Sequence, residues 1–280
     1  EFNKIENNNG GAVHLINCGI KTDGNIFTEC KSKEGGGGAI FIENSNLFKN
    51  DVLFNGLKFT SCEAEYGGGA YIYSASNTNK VNIKSCIFKQ NIATRSKSDD
   101  GKFGGAAMFL TVSRCVVRKC KFEKNDVKIM GDIGASTSLR ILQLEESSLI
   151  FTDCKFKINE NMKFSLFYYG GNYAADLKLQ NCSFYGKLKD GAYFIDGQLV
   201  ARNQPKMIIN SCRFSSKSNS AINPNSQFVS INLKDQIFES SKFEDSLDEN
   251  EKSMKSFIIF TALVMAVIIA LVISLFIIIK

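Results

Sequence analysis

The strongest constraint on this chain is the placement of its cysteines. Eight of the nine follow an apolar residue by three positions: Leu15 before Cys18, Phe27 before Cys30, Phe59 before Cys62, Ile83 before Cys86, Val117 before Cys120, Phe151 before Cys154, Leu179 before Cys182 and Ile209 before Cys212. A second apolar residue usually stands two positions earlier, as at Val13, Leu57, Val81, Leu149, Leu177 and Met207. The ninth cysteine, Cys115, fills that same place. Two positions beyond the cysteine, the last five copies carry Phe88, Phe122, Phe156, Phe184 and Phe214. The unit is apolar-x-apolar-x-x-Cys-x-Phe, a period-two alternation with one residue inserted. A strand slipped by one residue turns its apolar set to solvent, so the insertion must be a bend that restores the inward face. The residue before the cysteine is Asn, Ser, Asp, Glu or Lys, mostly small polar types that tolerate turns and left-handed backbone. The unit is strand, corner, strand.

From Cys30 onward the copies recur at intervals of 32, 24, 34, 34, 28 and 30 residues. Repeats of this period stack as a solenoid, each unit covering its neighbour's apolar face. The expected fold is an all-β solenoid, a right-handed parallel β-helix of about seven to eight coils. Four glycine-led segments, Gly10 to Val13, Gly37 to Ile40, Gly68 to Tyr71 and Gly104 to Ala107, precede the cysteine units. Gly38, Gly69 and Gly105 are expected where the chain turns and stacks closely on the next coil. A phosphate-binding loop would need Lys-Ser/Thr after the last glycine and a following helix, and neither is present. Both alternating sets of the glycine-led strands are apolar, which suits a strand covered on both faces. Cys18 and Cys30 are too close for a full coil, so one is assigned to an incomplete edge coil.

Phe257 to Ile279 is a charge-free apolar run of 23 residues, about 35 Å as a helix and enough to span a bilayer. The expected organisation is a β-helix over 1–234, a charged stalk over 235–256 and one C-terminal transmembrane helix over 257–279. Ala262, Ala266, Ala270 and Ser274 fall on one helical stripe. Small residues there let two helices approach, so weak homodimerisation is expected. Lysines flank both ends of the span, so charge bias fixes no orientation. The β-helix is placed outside the plasma membrane, with a tail-anchored cytosolic domain as the alternative. The chain starts without Met or an apolar leader and is read as a fragment or processed form.

The glycine-led tetrapeptides, together with Phe88 to Asn91, Phe122 to Asn125 and Phe156 to Asn159, resemble the GGAI and FxxN repeats of the chlamydial polymorphic outer membrane proteins and related trichomonad surface proteins. The resemblance covers roughly Gly10 to Phe214 and implies a surface-exposed β-helix used in adhesion. The bacterial proteins end in a β-barrel where this chain carries an apolar helix, which favours the eukaryotic version.

Chemistry-bearing residues are sparse. Asp99-Asp100 lies in a polar turn and His14 is the sole histidine. A zinc site needs paired cysteines, and only Cys115 with Cys120 comes near that spacing. Buried thiols are favoured over disulfides between coils, because parallel side-chain vectors make poor disulfide geometry. Asn181-Cys182-Ser183 is a cysteine-centred sequon at a corner. A formal charge of +6 with scattered lysines argues against nucleic acid. The expectation is a non-catalytic surface protein without cofactor or metal, whose partners are the bilayer and a host-cell surface protein or glycan. The binding loops are expected at Asn91 to Lys102 and Asp126 to Ser138. The runner-up is a membrane-tethered, pectin-lyase-like carbohydrate-active enzyme.

Overall fold

Phe59 shows why the chain winds as it does. It sits at the centre of the strand Lys58–Thr60, with left-handed residues just outside both ends: Gly56 at φ 66° and Ser61 at φ 54°. Each left-handed residue swings the chain through a corner, so the apolar residues on both sides keep facing inward. In a computed structural model of the chain, which describes residues 1–44, 49–74, 76, 78–94, 104–127, 139–158, 167–171, 175–186, 193–199, 206–215, 221–222, 230–234 and 237–238, this path repeats coil after coil. One coil runs through Val52–Asn55, Lys58–Thr60, Glu63–Ala64 and Ala70–Ser74.

Among the described residues every strand pairing is parallel and joins one coil to the next, which makes the unit Glu1–Glu239 a parallel β-solenoid. Three sheets form its sides. One, of nine strands, holds the short Phe-centred strands; the largest, of thirteen, holds the glycine-led strands and those that follow them. In two coils these merge into the long strands Met108–Arg118 and Leu139–Thr152.

The third side is a sheet of five two-residue strands, from Glu6–Asn7 to Asp126–Val127. Five stacked strands are four steps, so the described three-sided solenoid makes about four turns and not seven to eight. The expected number followed the cysteine units, one to each rung of the nine-stranded side, whereas all three sides together are described only as far as Val127. Beyond Val127 the other two sheets continue, and the residues that would close the third side lie outside the described set.

The interior is filled in columns. Val52, Val81, Cys115, Leu149, Leu177 and Met207 form one, each in register with the next and almost wholly buried. Phenylalanine forms another. Phe2, Phe27, Phe59, Phe88, Phe122, Phe156, Phe184 and Phe214 stack without a break, with centroids 4.6–5.2 Å apart and planes within 10° of parallel. That spacing matches the separation of paired strands, about 4.8 Å, so the backbone ladder sets the stacking distance. Each such contact contributes about 0.5–1.5 kcal/mol beyond the area it buries.

The glycine-led strands correct a register. Ala70 pairs with Ile40 and with Met108, which aligns Tyr71 with Phe41 and Phe109. Gly37, Gly67 and Gly105, with φ 68°, 62° and 69°, are therefore equivalent. Gly38 and Gly69 belong to two neighbouring columns, so the three glycines expected at one repeat position occupy three. The fixed element is a left-handed glycine three residues before the strand, not the string GGA. Phe41, Tyr71 and Phe109 point outward and stack at 4.6 and 5.5 Å, with Tyr66 packed edge-on. This outer cluster explains why both alternating sets are apolar. His14 ends the stack, its ring 4.9 Å from Phe41 at 83°.

Among the described residues no helix is long and apolar enough to cross a membrane. Ile237–Phe238, at the start of the expected stalk, is a strand paired with Arg213–Phe214 in the first unit, Glu1–Glu239; the rest of the stalk, the span at 257–279 and its Ala262, Ala266, Ala270 and Ser274 stripe lie outside the described residues.

Candidate functional site: corner ladders and outward rows

The recurring residues meet at two corners, and the structure divides the cysteines between them. Cys86, Cys120, Cys154, Cys182 and Cys212 follow the left-handed residues Ser85, Lys119, Asp153, Asn181 and Ser211 at the corner entering the Phe sheet. Cys30 and Cys62 follow Glu29 and Ser61 at the corner leaving it. The ladder of Cys30 and Cys62 is continued by Asn91 and Asn125, while Leu57 stands where Cys86 would be one coil earlier. Cys18 belongs to neither ladder. It follows the left-handed Asn17 and is exposed, so it shares a coil with Cys30 at a separate bend. That places the close pair within one coil and removes the need for an incomplete one.

Asn91 shows what a corner residue does. Its Oδ1 accepts from the Cys62 N–H at 3.0 Å and its Nδ2 donates to the Phe59 carbonyl at 3.1 Å. One side chain thus bridges two backbone groups of the rung below. Asn125 repeats this one coil on, accepting from the Asn91 N–H at 3.0 Å and donating to the Phe88 carbonyl at 3.0 Å. The thiols make weaker versions of the same bridge: the Cys86 N–H donates to Cys120 Sγ at 3.4 Å, and Cys120 Sγ donates to the Ile83 carbonyl at 3.6 Å. Asn91 is fully buried, so it is a structural corner and not the start of a binding loop. Residues 95–103 and 128–138, including Asp99, Asp100 and most of both expected binding loops, lie outside the described residues.

All nine cysteines are free, and eight are buried. Within a ladder each thiol's acidity depends on its neighbours. The hydrogen bond to Cys30 pushes the Cys62 thiol up and burial adds to it; conversely, Cys30, stabilised by that bond, is held down to about 7. At the other corner the bond from Cys120 lowers Cys86. The bonds to Cys154 and Cys182 raise Cys182 and Cys212, and burial alone raises Cys115. Ionisation is thus opposed at Cys62, Cys115, Cys120, Cys154, Cys182 and Cys212 and favoured at Cys30 and Cys86. Among the described residues no group of three His, Cys, Asp or Glu is placed to hold a metal ion.

Outward positions follow a different rule. Along one row of the Phe sheet the register runs Lys58, Ile87, Lys121, Lys155, Ser183, Arg213. Along the edge of the neighbouring sheet it runs Asn55, Lys84, Arg118, Thr152, Gln180. A recess of ≈ 370 Å³ on that edge is lined by Asn82, Ile83, Lys84, Val116 and Arg118. Sequence reasoning treated the lysines as scattered; only the register shows that some share a stripe.

Compared with protein-family models, curated proteins and solved structures, the chain matches none. Its class rests on its own architecture, that of a parallel β-solenoid with asparagine and cysteine corner ladders.

Proposed function

We propose that this is a membrane-anchored surface protein whose β-helix is a non-catalytic scaffold for adhesion or partner binding. The observation that carries this reading is the contrast between inside and outside at one register. Phe follows Phe through eight stacked rings, whereas the outward residue beside it changes among Lys, Ile, Ser and Arg. The recurring polar side chains are occupied by corner hydrogen bonds, which leaves variety to the surface, where recognition is made. The apolar run at 257–279 serves as the single-pass anchor, its small-residue stripe supports weak pairing, and the solenoid lies outside the plasma membrane. Right-handed winding agrees with the hand of nearly all parallel crossovers. The GGAI-like and FxxN-like segments support kinship with the polymorphic membrane proteins, and the FxxN asparagines at Asn91 and Asn125 have a shared structural role that such a repeat would preserve.

Protease shaving of intact cells, or antibody labelling without permeabilisation, tests the reading. Cleavage or labelling within 1–256 is expected. Protection until the membrane is opened would place the solenoid in the cytosol and end the adhesion account.

A further inference from the structure

The solenoid treats its cations in two ways. On the N-terminal coils they stack against acids: Lys31 with Glu63 at 3.1 Å, Lys33 with Glu6 and Lys4 with Glu29 at 3.8 Å. One row of the Phe sheet alternates likewise, with Glu123 in register between Lys89 and Lys157. Around the corner that enters that sheet the alternation stops. Lys84 is in register with Arg118, and Lys121 with Lys155. Lys84, Arg118, Lys119 and Lys155 are all exposed, with Asp153 the acid of that corner row. Like charges directly opposite each other in a sheet are destabilising, and these lie on strands about 4.8 Å apart. The recess between Lys84 and Arg118 opens on this stripe.

We propose that the stripe is a binding surface for an anionic polysaccharide, with Lys84, Arg118 and Asn82 holding a sulfate or carboxylate in the recess and Lys119 and Lys155 extending the contact. The cations occupy three successive rungs, Lys84, then Arg118 with Lys119, then Lys155, so a linear polyanion laid along the stacking direction meets a cation on each. The guanidinium of Arg118 presents a planar fork suited to sulfate or carboxylate, and the Asn82 amide can donate to sugar hydroxyls. Single-stranded nucleic acid is the poorer fit, because its platforms combine cations with exposed aromatic rings. Among the described residues the exposed large apolar side chains are Ile5 and Ile16, both away from the stripe.

The inference deepens the surface-binding reading and rests on it, yet fails separately, since binding is measured on the isolated chain and exposure on cells. Full-length protein in detergent micelles is titrated with heparin as the sulfated probe and dextran as the neutral control. The triple variant K84Q/R118Q/K155Q is expected to bind heparin about tenfold more weakly or worse, because it removes paired charge contacts. The variant K4Q/K31Q/K33Q makes the same change in net charge and should stay within about twofold of wild type if only the stripe binds. On wild-type protein, heparin should shield Lys84, Lys119 and Lys155 from amine acetylation and leave Lys4 and Lys31 reactive, a readout independent of variant folding. Absence of heparin binding, equal weakening by both triple variants, or tighter binding of an oligonucleotide or of anionic vesicles at matched salt would each overturn the proposal.

Discussion

Asn91 and the cysteines it aligns with show how much can depend on one corner side chain. Replacing Asn91 with Ala leaves the Cys62 N–H and the Phe59 carbonyl without the amide that bridges them. Each buried polar group stranded this way costs about 1–3 kcal/mol. Asn91→Ala is therefore expected to destabilise the solenoid by about 2–4 kcal/mol, and Asn91→Cys by clearly less, because a thiol makes the same bridge at Cys120. Urea midpoints of the two variants check this; equal losses would show that the amide bridge is not the operative feature. The thiols also predict a pH dependence. Cys62, Cys115, Cys120, Cys154, Cys182 and Cys212 hold their protons above the ordinary thiol range when folded. Below about pH 8.5 the folded and unfolded chains both keep these protons, and only the lowered Cys30 and Cys86 act, the folded chain releasing their protons first so that stability rises with pH there. Above it the unfolded chain releases protons that the folded chain retains, so stability falls as pH rises, by up to about 1.4 kcal/mol per pH unit for each thiol. Under reducing conditions the urea midpoint should drop steeply above that pH, and Cys115→Val should make the drop shallower. A flat profile up to pH 10 would contradict the burial of the ladders.

At the scale of the element, the corners and the glycine turns separate conformation from space. A Cβ on Gly24, at φ 67°, would meet nothing within 4 Å, whereas one on Gly38 would lie 2.1 Å from the Gly68 carbonyl oxygen. Gly24→Ala is expected to cost about 1–2 kcal/mol, the penalty of left-handed backbone alone. Gly38→Ala must move the neighbouring coil and should cost more; thermal melts of the pair that came out alike would refute the close stacking assigned to that turn. The corner itself was legible in the sequence, since an inserted residue between two apolar alternations has to be a bend. Left-handed backbone at Ser61, Ser85, Asp153, Asn181 and Ser211 follows from residue type. The same conformation at Lys4, Glu29, Lys119 and Lys124 does not, because there the coil above and below dictates it. The change of corner was marked only by the short interval of 24 residues between Cys62 and Cys86. Counted on Phe59 and Phe88 the interval is 29, so phenylalanine keeps the register that cysteine loses.

Across the whole molecule, the parallel solenoid could be read from the repeat, while the basic stripe could not. Lys84 and Arg118 lie 34 residues apart in sequence and become neighbours only through strand register. Cys18 offers the most direct test of the full account, being the exposed thiol of nine while the two ladders bury seven and the column of Val81 and Leu149 buries Cys115. Intact cells are treated with a membrane-impermeant maleimide, and the labels per chain are counted by mass before and after denaturation. The account predicts one label on intact cells, lost in Cys18→Ser, and nine after denaturation. No label until permeabilisation, or several labels on the native chain, would contradict the surface location or the buried ladders respectively.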